Sequence, residues 1–305
     1  IDFLYQITAI IRHQRAIMRL YAIAFVFSLI APLALIHLLG LYGACVGYLV
    51  EMLFLFALLL TEKVAVWAGK FSFKQVSFAG EDVRELQAAV SRKQGCLIII
   101  SHAGNSELLR ALVDADKTGL TQPLTVHVVY DMEISGGFLS LLHKVNSRAT
   151  FNTIDANRIT PQTIAFMQER LAAGDCIAIA GDRTGAHSNR FITLPFLGKS
   201  AHFSYGTFLL AALLDVPTYF VFGMRKRDLS LRSRYVMSAC RNAFSFGCPR
   251  REREERIKKT AVAFAQELER RCLTHPYQWY NFFDFWAGAE EAADYPAAEE
   301  PKPLP

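Results

Sequence analysis

The sequence is poor in cysteine and has no metal-binding cysteine pattern. Its 305 residues contain six cysteines but no Cys-x-x-Cys pair, and no group of histidines and cysteines has the spacing of a zinc site. Cys96 and Cys176 lie inside apolar runs, so we expect them to be buried, reduced thiols. We therefore expect no bound metal.

The sequence also lacks an obvious catalytic nucleophile and any repeat. Gly-x-Ser-x-Gly, the turn that presents the nucleophile of many serine hydrolases, is absent, although Ser101 and Ser106 flank a candidate site. We therefore expect any nucleophile to belong to the substrate. No internal repeat or heptad series is present. The length suits one α/β domain with an appendage.

Charged side chains are nearly absent from a long stretch near the N-terminus. Residues 20–39 contain none apart from His37, and residues 40–60 form a second apolar run that is broken by Glu51 and several glycines. The first run is long enough to cross a hydrocarbon core, and a basic amphipathic stretch precedes it. We predict that residues 1–61 form membrane-associated helices. The alternative for these two runs is a buried helical hairpin.

Charge and hydropathy narrow the classes of partner. The net charge is +5 and the pI is about 8.9, which suits nucleic acid, an anionic membrane or an acidic protein. Hydrophobic residues make up 52% of the chain and the mean hydropathy is +0.21, which favours the membrane over nucleic acid. The basic run at residues 225–227 suits either a solvated face or an acidic carrier protein.

Beyond residue 61 the pattern predicts an α/β fold with a mostly parallel central sheet flanked by helices. Short apolar runs without charge are typical of strands that are buried on both faces. We assign residues 62–287 to this domain and expect residues 288–305 to be a disordered tail. The predicted strands are 95–100, 124–129, 176–180 and 217–223, the predicted helices are 83–90, 105–113, 132–145, 160–173, 203–214 and 251–272, and a loop is predicted at 194–199.

The first candidate site follows the strand at residues 95–100. His102 lies at its carboxyl edge, and Glu107 follows five positions later at the start of a predicted helix. A carboxylate that holds one imidazole nitrogen leaves the other nitrogen free to take a proton from a substrate. His-x4-Glu is a short pattern, and a histidine at a strand edge near a solvated glutamate also fits it.

The second candidate site is Gly181-Asp182-Arg183-Thr184, which follows the strand at residues 176–180. An arginine on a glycine-flanked turn presents a planar fork of donors to phosphate or carboxylate, and Asp182 would orient Arg183. A tight turn with an internal Asp–Arg pair fits equally well. Since strands alternate with helices, both sites are expected at one rim of the sheet.

An aromatic segment at residues 275–286 precedes the predicted tail. Such a segment suits capping of the core, which we favour, or an acyl-chain pocket, or the membrane interface.

Four motifs in this order resemble the bacterial lipid A biosynthesis acyltransferase family, within the lysophospholipid acyltransferase superfamily. They are His102-Ala103-Gly104-Asn105-Ser106-Glu107, Gly181-Asp182-Arg183, Leu194-Pro195-Phe196-Leu197-Gly198-Lys199, and the aromatic run from Pro276 to Trp286. The resemblance covers roughly residues 60–287 and implies an O-acyltransferase. Its catalytic domain would face the cytoplasm at the bacterial inner membrane.

The resemblance also implies residue roles and substrates. His102 matches the family's general base and Glu107 its partner, and Arg183 would bind the acceptor phosphate or the phosphopantetheine of the donor. Asn105 and Lys199 would place polar head groups, and Gly181, Asp182 and Thr184 complete the substrate-binding motif. The donor would be an acyl carrier protein thioester or, as an alternative, acyl-CoA. The acceptor would be a lipid, and no cofactor would be bound.

Two departures from the family pattern bear on the acceptor. The first motif ends in Glu107 where many superfamily members have Asp, and Gly-Asp-Arg-Thr replaces the Glu-Gly-Thr-Arg of the glycerolipid branch. This form is similar to variants in aryl polyene and other specialised lipid pathways. Other interpretations are an acyl-CoA-dependent lysophospholipid acyltransferase, a non-catalytic lipid-binding scaffold, and a phosphoesterase suggested by Gly181-Asp182 and His187.

Overall fold

The computed structural model describes most of the chain beyond residue 75. The described residues are 76–104, 124–133, 152–183, 190–226, 235–276, 278, 279, 285 and 286, together with scattered positions between 26 and 53. The chain divides into two compact units, Ile1–Phe71 and Ser72–Pro305. All of the elements named below belong to the second unit.

The second unit alternates strands and helices along the chain. Its strands are β1 (Val76–Ala79), β2 (Cys96–Gly104), β3 (Val126–Tyr130), β4 (Asn152–Asp155), β5 (Cys176–Ala180), β6 (Phe191–Phe196), β7 (Lys199–Ser204), β8 (Thr218–Arg225) and β9 (Tyr235–Arg241). Its helices are α1 (Glu81–Ser91), α2 (Pro161–Ala172), α3 (Tyr205–Leu214) and α4 (Arg250–Thr274), with a 3₁₀ turn at Ala156–Arg158.

Seven of these strands form one sheet in the order β1-β9-β8-β2-β5-β3-β4. Strands β8, β2, β5, β3 and β4 all run parallel to one another. Strand β9 is antiparallel to β8, and β1 is parallel to β9. The predicted α/β fold with a mostly parallel sheet and flanking helices is confirmed. The carboxyl ends of β2, β5 and β8 consequently lie side by side at one rim.

The core explains why β2, β5 and β8 are almost wholly apolar. Both faces of these central strands are covered, and Leu97, Ile98 and Ile99 are at most 1% exposed. On one face, Phe264 of α4 packs its ring against Phe220 and Phe222 of β8. The ring centroids are 5.4 and 6.2 Å apart, a spacing at which aromatic pairs stabilise a core beyond simple burial.

The two predicted buried thiols lie side by side in this core. Cys96 opens β2, Cys176 opens β5, and the two residues are in register. Both are free and fully buried, with their sulfurs 3.2 Å apart, as the sequence predicted. A hydrogen bond to Cys176 and burial raise the pKa of Cys96, which keeps it a thiol.

The strands predicted at 95–100, 124–129, 176–180 and 217–223 and the helices predicted at 83–90, 160–173, 203–214 and 251–272 are confirmed to within a few residues. The helices predicted at 105–113 and 132–145 lie outside the described residues, apart from 132 and 133, and stay predictions. One loop prediction was wrong. Residues 194–199 are not a loop, because they join β6 and β7 in an antiparallel hairpin. Leu197 and Gly198 have φ angles of 53° and 79°, as a two-residue turn with left-handed residues requires. Pro195 suggested a loop, but it sits in a two-stranded ribbon with a free edge, where its missing N–H is tolerated.

The predicted membrane segments, residues 20–39 and 40–60, lie mostly outside the described residues, so the prediction stays a prediction. Across the part of the chain that is described, no helix combines the length and the apolar character needed to cross a membrane.

Candidate active site

The register of two neighbouring strands brings the two candidate motifs together. Ile100 of β2 lies opposite Ala180 of β5, and the Gly181 N–H donates to the Ile100 carbonyl at 2.9 Å. His102 and Asp182 each lie two residues beyond this pair. They meet at the rim although 80 positions separate them in the sequence.

A bulge in β2 carries His102. Between Ile100 and Gly104 the strand advances four residues, while the paired positions on β8 advance only from Val221 to Gly223. The buried Ser101 hydroxyl accepts a hydrogen bond from the Ala103 N–H at 3.0 Å and so stabilises the bulge. Bulges of this kind redirect side chains beside active sites. The sequence predicted that the strand ends at Ile100. In the structure β2 continues through the bulge to Gly104, so His102 lies inside the strand.

Asp182 holds the His102 imidazole. Asp182 Oδ1 lies 2.9 Å from His102 Nδ1, and Oδ2 accepts the His102 backbone N–H at 2.8 Å. The carboxylate side chain is fully buried, whereas the imidazole is 36% exposed. Since an ionised carboxylate only accepts hydrogen bonds, the Nδ1 atom carries the proton. This tautomer leaves the lone pair on Nε2 available to a substrate.

Asp182 stays ionised although it is buried. Burial by itself raises the pKa of a carboxyl group, but the charge of His102, its hydrogen bonds and the charge of Arg183 lower the pKa of Asp182 to about 2. A third donor, the Trp279 Nε1–H, reaches Asp182 Oδ2 at 3.1 Å. The site therefore holds a permanent negative charge behind the imidazole.

Arg183 and Gly181 complete the turn after β5. Burial lowers the pKa of the Arg183 guanidinium, and the neighbouring Asp182 carboxylate offsets part of this effect. A Cβ on Gly181 would lie 2.7 Å from side-chain atoms of Ile99 and Phe264, so only glycine fits there. The turn thereby places an arginine near the Asp182 carboxylate, which gives the rim a donor group for an anion.

The structure brings His102, Gly181, Asp182 and Arg183 together. Lys199 instead lies exposed beside the β6–β7 turn, and no described contact joins it to His102 or Asp182. The remaining predicted site residues, Asn105, Glu107 and Thr184, are outside the described residues, so their roles stay predictions.

The sequence assigned the carboxylate partner of His102 to Glu107 and gave Asp182 the task of orienting Arg183. The structure shows that Asp182 holds Nδ1 of His102. Trp279 was missed as a site residue, because the aromatic segment was interpreted as a core cap. That interpretation also holds, since Trp279, Phe285 and Trp286 pack in or against the core. Asp182 could have been identified from its position in the sequence, because it lies two residues beyond the end of a predicted strand, as His102 does.

The low pKa of Asp182 predicts a step in stability at acid pH. The group is charged in the folded protein down to pH about 2 but only to its ordinary value of 3.8 when unfolded. Its contribution of about 2 kcal/mol is therefore present above pH 3.8 and is lost as the pH falls through 2. Unfolding free energies of the wild type and Asp182→Asn at pH 5 and pH 2 should show this extra loss only in the wild type. An equal loss in both proteins would contradict the assignment.

The site can remove a proton from a substrate and bind an anion. His102 backed by an ionised Asp182 is a general base whose imidazolium form is stabilised, and Arg183 follows Asp182 in the chain and offers a guanidinium. No described residue contributes a nucleophile to this pair, which leaves that role to the substrate. A comparison of the chain with protein-family models and with curated proteins found no match to either.

Proposed function

We propose that the protein is a membrane-bound O-acyltransferase that moves a fatty acyl group from an acyl carrier protein thioester to the hydroxyl of a lipid. The observation that carries the proposal is the half-exposed His102 imidazole, whose Nδ1 is held by the buried, ionised Asp182. The order of motifs that resembles the lipid A biosynthesis acyltransferase family supplies the reaction class. Lipid A-like acceptors and specialised lysolipids or aryl polyene lipids are the proposed acceptor classes.

The proposed reaction uses one base and no acyl-enzyme. His102 Nε2 takes the proton of the acceptor hydroxyl while the hydroxyl oxygen attacks the thioester carbonyl. The tetrahedral intermediate collapses to the ester and expels the thiolate of the carrier, which receives the proton from the imidazolium. Asp182 favours the imidazolium in both steps, since its charge lies 2.9 Å from Nδ1. In this scheme Glu107 stays a predicted contributor.

Arg183 is proposed to bind a phosphate of the acceptor or of the donor's phosphopantetheine arm. Its guanidinium is partly desolvated and lies near the Asp182 carboxylate, and its planar fork of donors matches the oxygens of a phosphate. Binding there would orient the reacting hydroxyl or thioester toward Nε2. Lys199 and Asn105 stay predicted contacts for polar head groups.

A small apolar groove near the rim, of about 60 Å³, has room for only part of a hydrocarbon chain. It runs between α1 and the sheet, and among its lining residues Val221 pairs with Ile100, directly before the bulge. Met237 also lines it and pairs with Gly223, which lies opposite Gly104. The groove thus extends to the level of His102 along the strands. The full set of lining residues is Val83, Leu86, Gln87, Val90, Ile98, Leu124, Val221, Met237, Ser238 and Ala239.

Attachment to the inner membrane through residues 1–61 remains part of the proposal. The described helical positions in this unit include Val26, Tyr42, Leu49 and Leu53, each of which exposes more than half of its surface. Exposed large apolar side chains of this kind favour contact with lipid. With the base facing the cytoplasm, soluble acyl carrier protein would reach it directly.

The test compares the wild type with His102→Gln. Membranes that contain either protein are incubated with radiolabelled acyl carrier protein thioesters and total bacterial lipid, and the labelled products are resolved. We expect label in a lipid and a loss of about 10²–10⁴-fold in His102→Gln. The matched control is His202→Gln, because His202 is a half-buried histidine of the β6–β7 hairpin whose ring bonds to Thr193 and stacks on Phe191.

Other outcomes separate the competing functions. Equal labelling by the wild type and His102→Gln would contradict the proposal. Label that appears only as free fatty acid would indicate a thioesterase, because the same base can activate water. Transfer from acyl-CoA but not from the carrier thioester would identify the acyl-CoA-dependent alternative. Absence of any product from folded wild type, across several acyl lengths, would favour a lipid-binding scaffold.

A further inference from the structure

The aromatic segment after α4 is fastened to the catalytic rim through Gln278. The Gln278 carbonyl accepts the Gly104 N–H at 2.7 Å, directly after the bulge that carries His102. The Gln278 side chain accepts the Arg225 N–H and donates to the Arg225 carbonyl, both at 2.7 Å. These bonds join the segment to the ends of both β2 and β8, which fixes the backbone of the next residue, Trp279.

The Trp279 ring is itself locked by its neighbours. Its centroid lies 5.1 Å from that of Phe196, 5.0 Å from Phe285 and 6.3 Å from Trp286, in edge-to-face arrangements. Trp279 also forms a β-bridge with Ala103, the residue after His102. An indole held on three sides cannot turn its N–H away from Asp182 without disturbing this packing.

Asp182 accepts three hydrogen bonds, two from His102 and one from Trp279. Oδ1 accepts the Nδ1–H of His102, while Oδ2 accepts the His102 backbone N–H and the Trp279 indole N–H. An indole nitrogen donates and never accepts, so it requires an acceptor oxygen at this point. It also fixes the plane of the carboxylate, and with it the direction in which Oδ1 points.

We propose that Trp279 is a positioning residue of the His102–Asp182 pair. Its indole N–H holds the Asp182 carboxylate aligned, so that His102 keeps its proton on Nδ1 and offers Nε2 to the acceptor hydroxyl. This role rests on the proposed acyl transfer for its effect on rate, but its effect on the carboxylate is independent of any substrate. The aromatic segment thereby supports the His102–Asp182 pair through Trp279.

The test compares Trp279→Phe with Trp286→Phe in the full chain. The second variant is a matched control because Trp286 also donates its indole N–H, to the Phe196 carbonyl at 3.1 Å, and packs in the same aromatic cluster. For transfer from acyl carrier protein thioester, we expect Trp279→Phe to lower kcat about tenfold with KM for the thioester unchanged. Trp286→Phe should keep kcat within about twofold.

A second readout does not depend on activity. Carbon-13 NMR of the Asp182 carboxyl should show its pKa raised by about one pH unit in Trp279→Phe and unchanged in Trp286→Phe, since a donor to the charged form has been lost. If Trp279→Phe does not fold, benzothienylalanine at position 279 keeps the ring shape and removes only the donor.

The outcomes separate this proposal from the proposed function. Identical carboxyl titrations in the two variants would overturn the role of Trp279, whatever the rates are. A wild type without transferase activity would reject the proposed function, and the titration would still decide whether Trp279 holds the carboxylate. A lower kcat with an unshifted carboxyl titration would show a merely structural effect and would also overturn the proposal.

Discussion

Asp182→Asn is expected to lower acyl transfer by about 10³–10⁴-fold while the fold is retained. Three donors point at this carboxylate, two of them at Oδ2. An asparagine must therefore place its single oxygen at the Oδ2 position and its NH₂ group toward Nδ1 of His102. Nδ1 would then become the acceptor, and the ring proton would move to Nε2. The imidazole would stay in place in the wrong tautomer, unable to take a proton from the acceptor.

Two measurements check this expectation. Transfer to lipid is assayed in membranes, and nitrogen-15 NMR of the histidines reports which ring nitrogen of His102 carries the proton. Asp175→Asn is the control, because Asp175 bonds to the buried His127 ring at 2.9 Å and to Arg170, in a second histidine–aspartate pair with no proposed role in the reaction. Transfer above a tenth of the wild-type rate in Asp182→Asn, with the tautomer unchanged, would refute the assignment of Asp182.

Gly104→Ala is expected to destabilise the catalytic domain by about 2–5 kcal/mol and to abolish transfer. Gly104 has a φ of 76°, and a Cβ there would lie 2.2 Å from the Gly223 carbonyl oxygen of β8. The alanine must therefore tolerate left-handed backbone and also push β2 away from β8. Because the bulge that carries His102 ends at Gly104, the imidazole would move off Asp182.

Gly198→Ala is the control variant that separates backbone strain from steric overlap with a neighbouring strand. Gly198 has a similar φ of 79°, but a Cβ there would have nothing within 4 Å. It should therefore cost only the backbone strain, about 1–2 kcal/mol. Thermal unfolding of the two variants, with transfer assays alongside, gives the comparison. Equal destabilisation would mean that the close approach of β2 and β8 at Gly104 is unimportant.

The central strands and the long helices could be predicted from the sequence because burial imposes composition on them. Residues 176–180 read as an uninterrupted apolar run and form β5, and the periodic run at residues 160–173 contains helix α2, which ends before Gly174 with its φ of 94°. Strand β9 and the β6–β7 hairpin were missed, since polar or proline residues interrupt their apolar runs. In the hairpin and on one side of β9 such residues are partly or fully exposed, and a short pattern does not distinguish strand from loop.

The carboxylate partner of His102 could not be predicted from the spacing of residues within one motif. His102 was found because it ends an apolar run, but its carboxylate was sought within the same motif, at Glu107. Asp182, 80 positions away, holds the imidazole because β2 and β5 pair in register. Trp279 lies 97 positions beyond Asp182 and reaches it only through its bridge to Ala103 and the contacts of Gln278. Neither the His102–Asp182 contact nor the Trp279–Asp182 contact can be inferred from the spacing of neighbouring residues.

The residue pattern was sufficient to predict the fold class and the rim that carries His102 and Arg183, because apolar runs indicate the strands and parallel strands share an edge. Only the tertiary structure decided which carboxylate orients His102 and that an indole from the chain's aromatic segment supports it. The physical reason is that hydrogen bonds require matched atoms about 3 Å apart. Strand register and the β2 bulge set those distances, and neither can be inferred from the residues one at a time.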